Sequence, residues 1–401
     1  MASLAGLSIS AGALSLAGCA HSPSDAAAAP LVPAGRGSGD LGLVIERETG
    51  SLGVLDTTAR TRLGTITGLG DLSHASVVYG RDGATAYVFG RDGALTKVNL
   101  LTGQIESRVQ QAGNSIGGAI SQDGTLVVAQ NYKPGGIKVF DARTLALVAD
   151  IPAVVGGQPS RVVGLADLPG QRFVYSLFDA GQIWIADLSN PAQPQITQFA
   201  NIGKQPYDAL VTPDGRTYIA GLFGEDGLAK LDLWAAQPRV ERILDGYGRG
   251  EQPLPVFKMP HLRGWAVAGR YAYLPAIGRH EVLVVDTSTW QEVARIPVAG
   301  QPVFVMARPD GRQVWVNFAV PDYDTVQVID TPTRQIVKSL KPGKAVLHME
   351  FTPRGEAVWI SSRDAGHISV IDTTSFKTLA VLPAQSPSGI FFSSRAARTG
   401  F

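Results

Sequence analysis

The chain has 401 residues, 45% of them hydrophobic, and a formal net charge of +1 at pH 7. This length and composition predict a large folded core and exclude disordered and fibrous classes of protein. The balanced charge gives no basic face for phosphates, so nucleic acid is not expected as a partner. The one cysteine, Cys19, excludes a disulfide framework, a thiolate metal cluster and a cysteine nucleophile in the folded part.

The N-terminal segment predicts export and lipid attachment. Residues 3–18 form an apolar, small-residue stretch that is too short to span a bilayer and leads into the sequence LAGC, which ends at Cys19. This sequence is similar to a bacterial lipobox, in which the cysteine receives a diacylglyceryl group and becomes the first residue after cleavage. We therefore predict a signal peptide over residues 1–19 and a periplasmic protein lipidated at Cys19. Because Ala20 follows, the predicted anchorage is in the outer membrane; an ordinary cleaved signal with a coincidental cysteine is the alternative.

The composition changes twice after the signal. Residues 20–40 are rich in Ala, Pro, Ser and Gly, which predicts a flexible tether. Over residues 41–401 a short alternating strand that ends in Asp or Asn recurs eight times, at intervals of 42 to 54 residues. Intervals of this length are typical of one four-stranded propeller blade, so we predict an all-β, eight-bladed β-propeller. The recurring positions are Asp56, Asn99, Asp141, Asp187, Asp232, Asp286, Asp330 and Asp372.

A glycine turn precedes most of these strands. Five copies read RDG, QDG, PDG, PDG and PRG, and they end at Gly83, Gly124, Gly215, Gly311 and Gly355. Asp-Gly supplies the positive φ of a tight hairpin, so each copy predicts a turn between two alternating strands. Amphipathic helices of ten or more residues do not interrupt the series, which argues against an α/β fold.

The two ends of the domain complement each other. The sequences LGLVIER and SLGVLDTT lack a preceding inner strand, while the final SPSGIFFSS lacks following outer strands. Joined, they make one blade and remove the open edges of the ring. We therefore predict that N- and C-terminal strands close the last blade and that a wide central channel receives a large, flat ligand.

Residues able to carry chemistry stand at corresponding positions of several blades. His74 begins an inner strand, where a neutral imidazole is suited to ligate a haem-type iron. Tyr207, Asp208 and His261 stand at the equivalent starts of two later blades, and His348 falls within an inner strand. We predict that these groups surround one mouth of the channel. For each one taken singly, a structural hydrogen-bonding role is the alternative.

Cationic side chains are expected to hold the carboxylates of an anionic ligand. Arg47, Arg91, Lys133 and Arg161 stand at loops or strand ends of the first four blades, and planar guanidinium groups bind carboxylates bidentately. Solvated surface charge is the alternative interpretation of the same residues. The sequence contains no GxSxG elbow, HExxH pair, P-loop or GxGxxG motif opening a helix.

Long stretches of the chain resemble a known family. The sequences VIERETGSLGVLD and SHASVVYGRDGATAYVFGRDGALTKVNL are similar to the opening of the d1-haem domain of cytochrome cd1 nitrite reductase. The similarity continues through YDALVTPDGRTYIAG to SPSGIFF, and so covers nearly the whole mature chain. Because no CxxCH cytochrome c domain precedes the propeller, the resemblance is to the propeller proteins of haem d1 biosynthesis rather than to the reductase.

The resemblance implies roles for individual residues. It implies His74 as proximal iron ligand, the three arginines beside the haem carboxylates, and His261 as one of two distal histidines. Tyr207, beside Asp208, stands in place of the second distal histidine. This replacement argues against nitrite reduction and leaves tetrapyrrole binding intact.

Two functions stay open, both in a late periplasmic step of haem d1 biosynthesis with haem d1 or dihydro-haem d1 as ligand. In the first, the protein is a dehydrogenase acting on a dihydro-haem d1-type precursor, with His261, Tyr207 and Asp208 as acid and base groups and an external electron acceptor. In the second, it is a non-catalytic carrier that docks a d1 dehydrogenase or the nitrite reductase. A propeller binding a sugar or peptide is a third, more general alternative.

Overall fold

A computed structural model describes residues 30–33, 35–247 and 265–399, without the side chains of Asp208 and Ile277. These residues form β-strands and two short 3-10 helices, Ile277–Arg279 and Ser393–Ala397. No helix in the described ranges is long and apolar enough to cross a membrane.

The strands follow one another at short intervals along the chain. In chain order they are β1 (Leu41–Glu46), β2 (Ser51–Asp56), β3 (Thr61–Ile66), β4 (Ser76–Tyr79), β5 (Thr85–Phe89), β6 (Ala94–Asn99), β7 (Gln104–Gln110), β8 (Asn114–Ile120), β9 (Leu126–Lys133), β10 (Ile137–Asp141), β11 (Leu147–Ile151), β12 (Val154–Val155), β13 (Gln158–Pro159), β14 (Val162–Leu168), β15 (Arg172–Leu177), β16 (Gln182–Asp187), β17 (Gln195–Phe199), β18 (Pro206–Val211), β19 (Thr217–Leu222), β20 (Leu228–Asp232), β21 (Val240–Ile243), β22 (Ala266–Ala268), β23 (Tyr271–Ala276), β24 (Glu281–Asp286), β25 (Gln291–Pro297), β26 (Pro302–Ala307), β27 (Gln313–Phe318), β28 (Val326–Asp330), β29 (Gln335–Leu340), β30 (Val346–Phe351), β31 (Ala357–Ser362), β32 (His367–Asp372), β33 (Thr378–Pro383) and β34 (Pro387–Phe392).

These strands form eight four-stranded antiparallel sheets and one small hairpin, β12–β13. Each sheet is a blade whose strands follow one another outward from the channel. The second strand of each blade is paired on both edges and packs its faces against the neighbouring blades. The second strands β5, β19 and β31 are accordingly buried at every position. The outermost strands β7 and β29 are largely exposed. The predicted eight-bladed propeller is confirmed.

The first blade is closed by strands from both ends of the chain. Its order is β3-β2-β1-β34, so the last strand of the chain is the innermost strand of blade 1. The pairing is antiparallel, with Gly42 opposite Phe392 and Leu43 opposite Phe391. The Tyr79 hydroxyl of blade 2 donates a 2.7 Å hydrogen bond to the Phe391 carbonyl and ties the closing strand to its neighbour. The predicted closure by terminal strands is confirmed.

The glycine turns define one end of the ring. Each lies between the first and second strand of its blade, and the φ angles of the five turn glycines run from 66° to 76°. Because successive strands of a blade run in opposite directions, the links from third to fourth strands lie at this same end, which we call the lower face. The links from second to third strands and the starts of the innermost strands lie at the other end, the upper face.

The chain reaches blade 1 along the lower face. Val32 is only 2% exposed, and its N–H donates to the Leu101 carbonyl at 3.3 Å. Arg36 forms an ion pair of 2.7 Å with Asp56. The packed part of the chain therefore begins before residue 41, where we expected the tether to end, because apolar side chains in this segment bury their surface. Cys19, the predicted signal and most of the predicted tether lie outside the described residues.

Candidate functional site

The cationic residues predicted from the sequence lie at the upper face. Arg47 directly follows the second strand β1, Arg91 is the second residue after the second strand β5, and Lys133 ends the second strand β9. Arg161 directly precedes β14, the innermost strand of blade 4. The four residues come from four consecutive blades and stand at one end of the channel, because second strands end and innermost strands begin at the same face.

Aromatic rings of blades 3 to 5 form one cluster at this face. The hydroxyl groups of Tyr132 and Tyr207 are 3.2 Å apart, and Tyr132 donates to Tyr207. The Phe178 ring meets the Tyr207 ring edge-on with centroids 5.8 Å apart, and Phe223 lies 6.0 Å from Tyr207 on another side. Burial raises the pKa of Tyr132, so this phenol is neutral at pH 7. The neighbours of Tyr207 were not predicted from the sequence.

Two of the arginines flank this aromatic cluster. The Arg91 and Arg161 guanidinium carbons each lie 5.9 Å from the Tyr132 ring centroid. Arg161 also stacks 4.1 Å above the Phe178 ring and forms a bidentate ion pair with Asp179. The hydrogen bond to Asp179 raises the pKa of Arg161. Cations and aromatic rings therefore form one continuous surface.

The loop that carries His74 is held by the other predicted arginine. The Arg47 guanidinium donates to the Ser73 carbonyl, and the Ser73 N–H donates to an Asp71 carboxylate oxygen at 2.8 Å. The Arg91 N–H donates to the Asp71 carbonyl at 2.8 Å. His74 is half-buried two residues before β4, and its Nε2 is enclosed by protein atoms. Arg47 and Arg91 thus fix the backbone next to the predicted iron ligand.

Arg363 is a further cation near Arg47 that sequence reasoning missed. Burial, with a smaller contribution from Arg363, lowers the pKa of Arg47. Arg363 directly follows the second strand β31 of blade 8, at the upper-face position that Arg47 occupies in blade 1. This shared position after the second strand is the sequence signal that would have found it.

His348 lies inside the channel wall. Its ring stacks on Phe391 with centroids 5.6 Å apart and meets Phe304 edge-on at 5.7 Å, while its Nδ1 accepts a 3.2 Å hydrogen bond from the Ile390 N–H. Burial lowers the pKa of His348 to about 4, so the imidazole is neutral at pH 7. It borders a channel cavity of about 480 Å³ whose lining includes Arg395. These contacts are separate from the arginine and aromatic cluster at the upper face.

A buried ion pair lies in the same part of the channel. Arg395, in the helix after β34, binds the Glu350 carboxylate of blade 8 through two hydrogen bonds of 2.8 and 2.5 Å. Arg81 donates to the carbonyls of Ala396 and Arg398 at 3.0 and 2.6 Å and so holds the C-terminal segment in place. The sequence pattern did not indicate this pair, because its partners meet only when the ring closes.

The described side-chain contacts do not test the roles of three predicted site residues. His261 and the side chain of Asp208 lie outside the described residues, and their roles stay predictions. Lys133 is exposed at the end of β9, where its carbonyl accepts a hydrogen bond from the Gly113 N–H at 3.0 Å. Within the described ranges, no group of three or more His, Cys, Asp or Glu side chains could hold a metal ion.

The fold and the upper-face cluster can now be compared with known proteins. The Cytochrome D1 heme domain family matches residues 36–396, which include all eight blades. The chain therefore belongs to the family of cytochrome d1 haem-domain propellers. It is 63% identical to Protein NirF of Stutzerimonas stutzeri over 91% of this chain and 94% of the relative. It is 60% identical to Protein NirF of Pseudomonas aeruginosa over 96% of both chains.

A solved structure is similar over most of the propeller. It is the dihydro-heme d1 dehydrogenase NirN in complex with DHE, which matches with a TM-score of 0.77 and 25% sequence identity. The match covers 91% of this chain and 78% of that chain.

Proposed function

We propose that the protein binds a haem d1-type tetrapyrrole at its upper face in a late step of haem d1 biosynthesis. The observation that carries this proposal is the joined surface of Arg91 and Arg161 with the rings of Tyr132, Phe178 and Tyr207. A tetrapyrrole is a flat apolar ring with carboxylates at its edge. Aromatic rings pack against the flat part, and guanidinium groups bind the carboxylates. The NirF relatives and the NirN complex support the d1 class of ligand.

His74 is the proposed iron ligand. Two arginines fix the backbone beside it, which gives a ligand the rigid support it needs. Because its Nε2 is enclosed by protein atoms, ligation through this nitrogen requires the ring to turn. The bound iron tetrapyrrole supplies the redox chemistry, and the protein supplies binding and orientation.

Two roles follow from this one binding site. As a carrier, the protein releases its tetrapyrrole unchanged to a d1 dehydrogenase or to the nitrite reductase. As a dehydrogenase, it removes two hydrogens from a dihydro-haem d1 precursor, and an external acceptor takes the two electrons while protein groups take the protons. Tyr207 is the described group best placed for this proton transfer, because its phenol belongs to the upper-face aromatic cluster and its oxygen accepts a hydrogen bond from Tyr132. His261 and Asp208 remain the other proposed acid and base groups.

A visible-absorption titration tests the binding proposal. Protein comprising residues 20–401 is titrated with haem d1 and with dihydro-haem d1, alongside the His74→Ala variant. We expect a stoichiometric spectral shift in the parent protein and altered ligation in the variant. His367→Gln is the matched control, since both His367 ring nitrogens lie within 3.2 Å of backbone carbonyls. The absence of a shift with both ligands would refute the proposed function.

The same samples separate the two roles. Slow conversion of bound dihydro-haem d1 to haem d1 in the presence of an electron acceptor, lost in Tyr207→Phe while binding persists, supports the dehydrogenase. An unchanged spectrum, with transfer of the ligand to purified nitrite reductase or d1 dehydrogenase, supports the carrier. Cross-linking with each of these two proteins tests the proposed transient complexes.

The location of the protein is a separate part of the proposal. Lipidation of Cys19 would hold the protein at the periplasmic side of the outer membrane. Labelling cells with a radioactive fatty acid tests this: the parent protein is expected to take up label and a Cys19→Ala variant is not. Recovery of unlabelled parent protein from the soluble fraction would overturn it.

A further inference from the structure

One tryptophan stands apart from the others. The chain has six, and Trp234 is 63% exposed, whereas the remaining five are at most 8% exposed; these are Trp184, Trp265, Trp290, Trp315 and Trp359. Trp234 lies in the link between β20 and β21, whose sequence LWAAQPR ends in Arg239 with a side chain 84% exposed. An exposed indole, small apolar residues and an exposed cation, which pairs with Glu241 at 3.6 Å, form the composition of membrane-interface anchors. A single exposed apolar residue is common on proteins, so a second observation is needed.

The second observation is where the N-terminal segment meets the ring. Arg36 pairs with Asp56 at the end of the third strand of blade 1, and the Val32 N–H donates to Leu101 in the third-to-fourth strand link of blade 2, so both contacts lie at the lower face. Trp234 lies in the corresponding link of blade 5, and therefore on the same lower face. From Cys19 the chain has eleven residues to reach Pro30, which spans about 40 Å at most. A lipid at Cys19 would therefore keep a bilayer within about 40 Å of Pro30, whose segment meets the ring at the lower face.

The two features lie on opposite sides of the ring. The N-terminal segment contacts blades 1 and 2, while Trp234 belongs to blade 5, half a turn away in a ring of eight. One attachment point leaves a protein free to tilt about it. A second attachment point across the ring restricts this tilt and favours an orientation with the lower face towards the membrane.

We propose that the lower face rests on a phospholipid surface, with Trp234 inserted among the headgroups and the upper-face site turned away from the membrane. This inference rests on the proposed lipidation of Cys19. The orientation leaves the tetrapyrrole site accessible to protein partners and to ligand arriving from the aqueous side. It also places the exposed loop from Trp234 to Arg239 in an interface that accommodates both its apolar and its charged side chains.

Quenching of tryptophan fluorescence tests the contact at Trp234. Full-length lipidated protein is reconstituted on vesicles made with brominated phospholipids, which quench only indoles that touch the lipid. We expect partial quenching in the parent protein and none in Trp234→Phe, because the other tryptophans are buried. The variant should keep its tetrapyrrole spectrum. If protein that floats with the vesicles shows no quenching, the lower-face contact is refuted.

Two engineered cysteines test the orientation. Ala236 and Ala365 are both exposed, the first in the lower-face link of blade 5 and the second in the upper-face link of blade 8. Because Cys19 is consumed by lipid and the chain has no other cysteine, each variant offers one thiol to a water-soluble maleimide. On vesicles we expect labelling of Ala236→Cys to slow at least fivefold and labelling of Ala365→Cys to be unchanged. Equal labelling of both, or the reverse order, contradicts the orientation.

The anchor and the orientation fail in different ways. If the parent protein does not float with vesicles, the lipidation proposal itself is wrong and the orientation falls with it. If the parent floats but its lower face labels freely, lipidation stands and the orientation is wrong. If the thiol of Ala236→Cys reacts slowly with maleimide even without vesicles, and more slowly at higher protein concentration, the lower face contacts a second copy of the chain instead.

Discussion

Arg161 shows how one side chain serves both the fold and the proposed ligand. Its guanidinium stacks on Phe178 and pairs with Asp179, yet the side chain remains 41% exposed at the channel mouth. Replacement by Gln removes the charge from the proposed carboxylate contact. We expect Arg161→Gln to weaken tetrapyrrole binding about tenfold, equivalent to about 1.4 kcal/mol, as for one charge-assisted hydrogen bond. Stability should change by less than about 1 kcal/mol, since the ion pair is half exposed.

Spectrophotometric titration of this variant measures the change in affinity directly. Arg143→Gln is the matched control, because Arg143 is an exposed arginine in a lower-face link of blade 3. Equal affinities of the two variants would show that Arg161 does not hold the ligand.

His348 predicts a pH dependence of stability. Burial lowers its pKa to about 4 in the folded protein, whereas an unfolded chain binds this proton near pH 6.5. The unfolded state therefore holds more protons between these values. The neutral His348 therefore makes its full contribution to stability above about pH 6.5. As the pH drops towards 4, the free energy of unfolding falls by up to about 3 kcal/mol.

Urea denaturation at pH 7, 6 and 5 checks the contribution of His348. The parent protein should lose stability over this range, and the neutral variant His348→Gln should lose clearly less. The pKa of Glu350 is also lowered, because the attraction of Arg395 outweighs the opposing effect of burial. Protonation of Glu350 affects stability at lower pH than that of His348, and it does so in both the parent protein and the variant. Parallel pH profiles for the two proteins would assign the acid sensitivity elsewhere.

The candidate site could be predicted only in part from the sequence. Arg47, Arg91 and Arg161 were predicted because each stands at a loop or strand end and matches an arginine of the similar family, and the structure places all three at the upper face. The Tyr132–Tyr207 contact was missed, since its partners are 75 residues apart and belong to different blades. No local pattern encodes which side chains meet across a channel.

At the level of strands and turns, local patterns were sufficient. Alternating apolar residues and turn glycines marked the blades, because strand pairing within a blade joins segments close in the chain. The innermost strands are different, since they must also fit against neighbouring blades. Gly118 on β8 shows this: an added Cβ would lie 2.2 Å from Phe89 Cζ and 2.3 Å from the Val128 carbonyl oxygen.

Gly118→Ala is accordingly expected to destabilise the protein by about 1 to 3 kcal/mol, because the inner strand cannot move away from the buried Phe89 ring. The measurement is the midpoint of urea unfolding. Gly39→Ala serves as control, since an added Cβ there has nothing within 4 Å. Equal midpoints for the two variants would contradict the tight packing described for β8.

For the molecule as a whole, stability depends on closing the ring. Removing residues 387–401 deletes β34 and Arg395, which leaves β1 with an open edge and Glu350 buried without Arg395. Open edges invite association, and a buried charge that loses its partner destabilises by about 3 to 5 kcal/mol. We expect the truncated protein to lose its single unfolding transition and to aggregate.

Size-exclusion chromatography and urea unfolding test this expectation. A chain that ends at Thr399 keeps β34 and Arg395 and is the control. A monomeric truncated protein with the unfolding midpoint of the control would show that the closing strand is dispensable.

Because β34 is the last strand of the chain, its position also determines when the ring can close. The chain is made from the N-terminus, so the strands of blades 2 to 8 and three strands of blade 1 all precede the closing strand β34. Until then, blades 1 and 8 are not locked together, and Arg47 and Arg363 are not held at a common mouth. A polypeptide terminated before β34 therefore lacks a complete upper-face site. The last fifteen residues are therefore needed to complete the upper face of each newly made molecule.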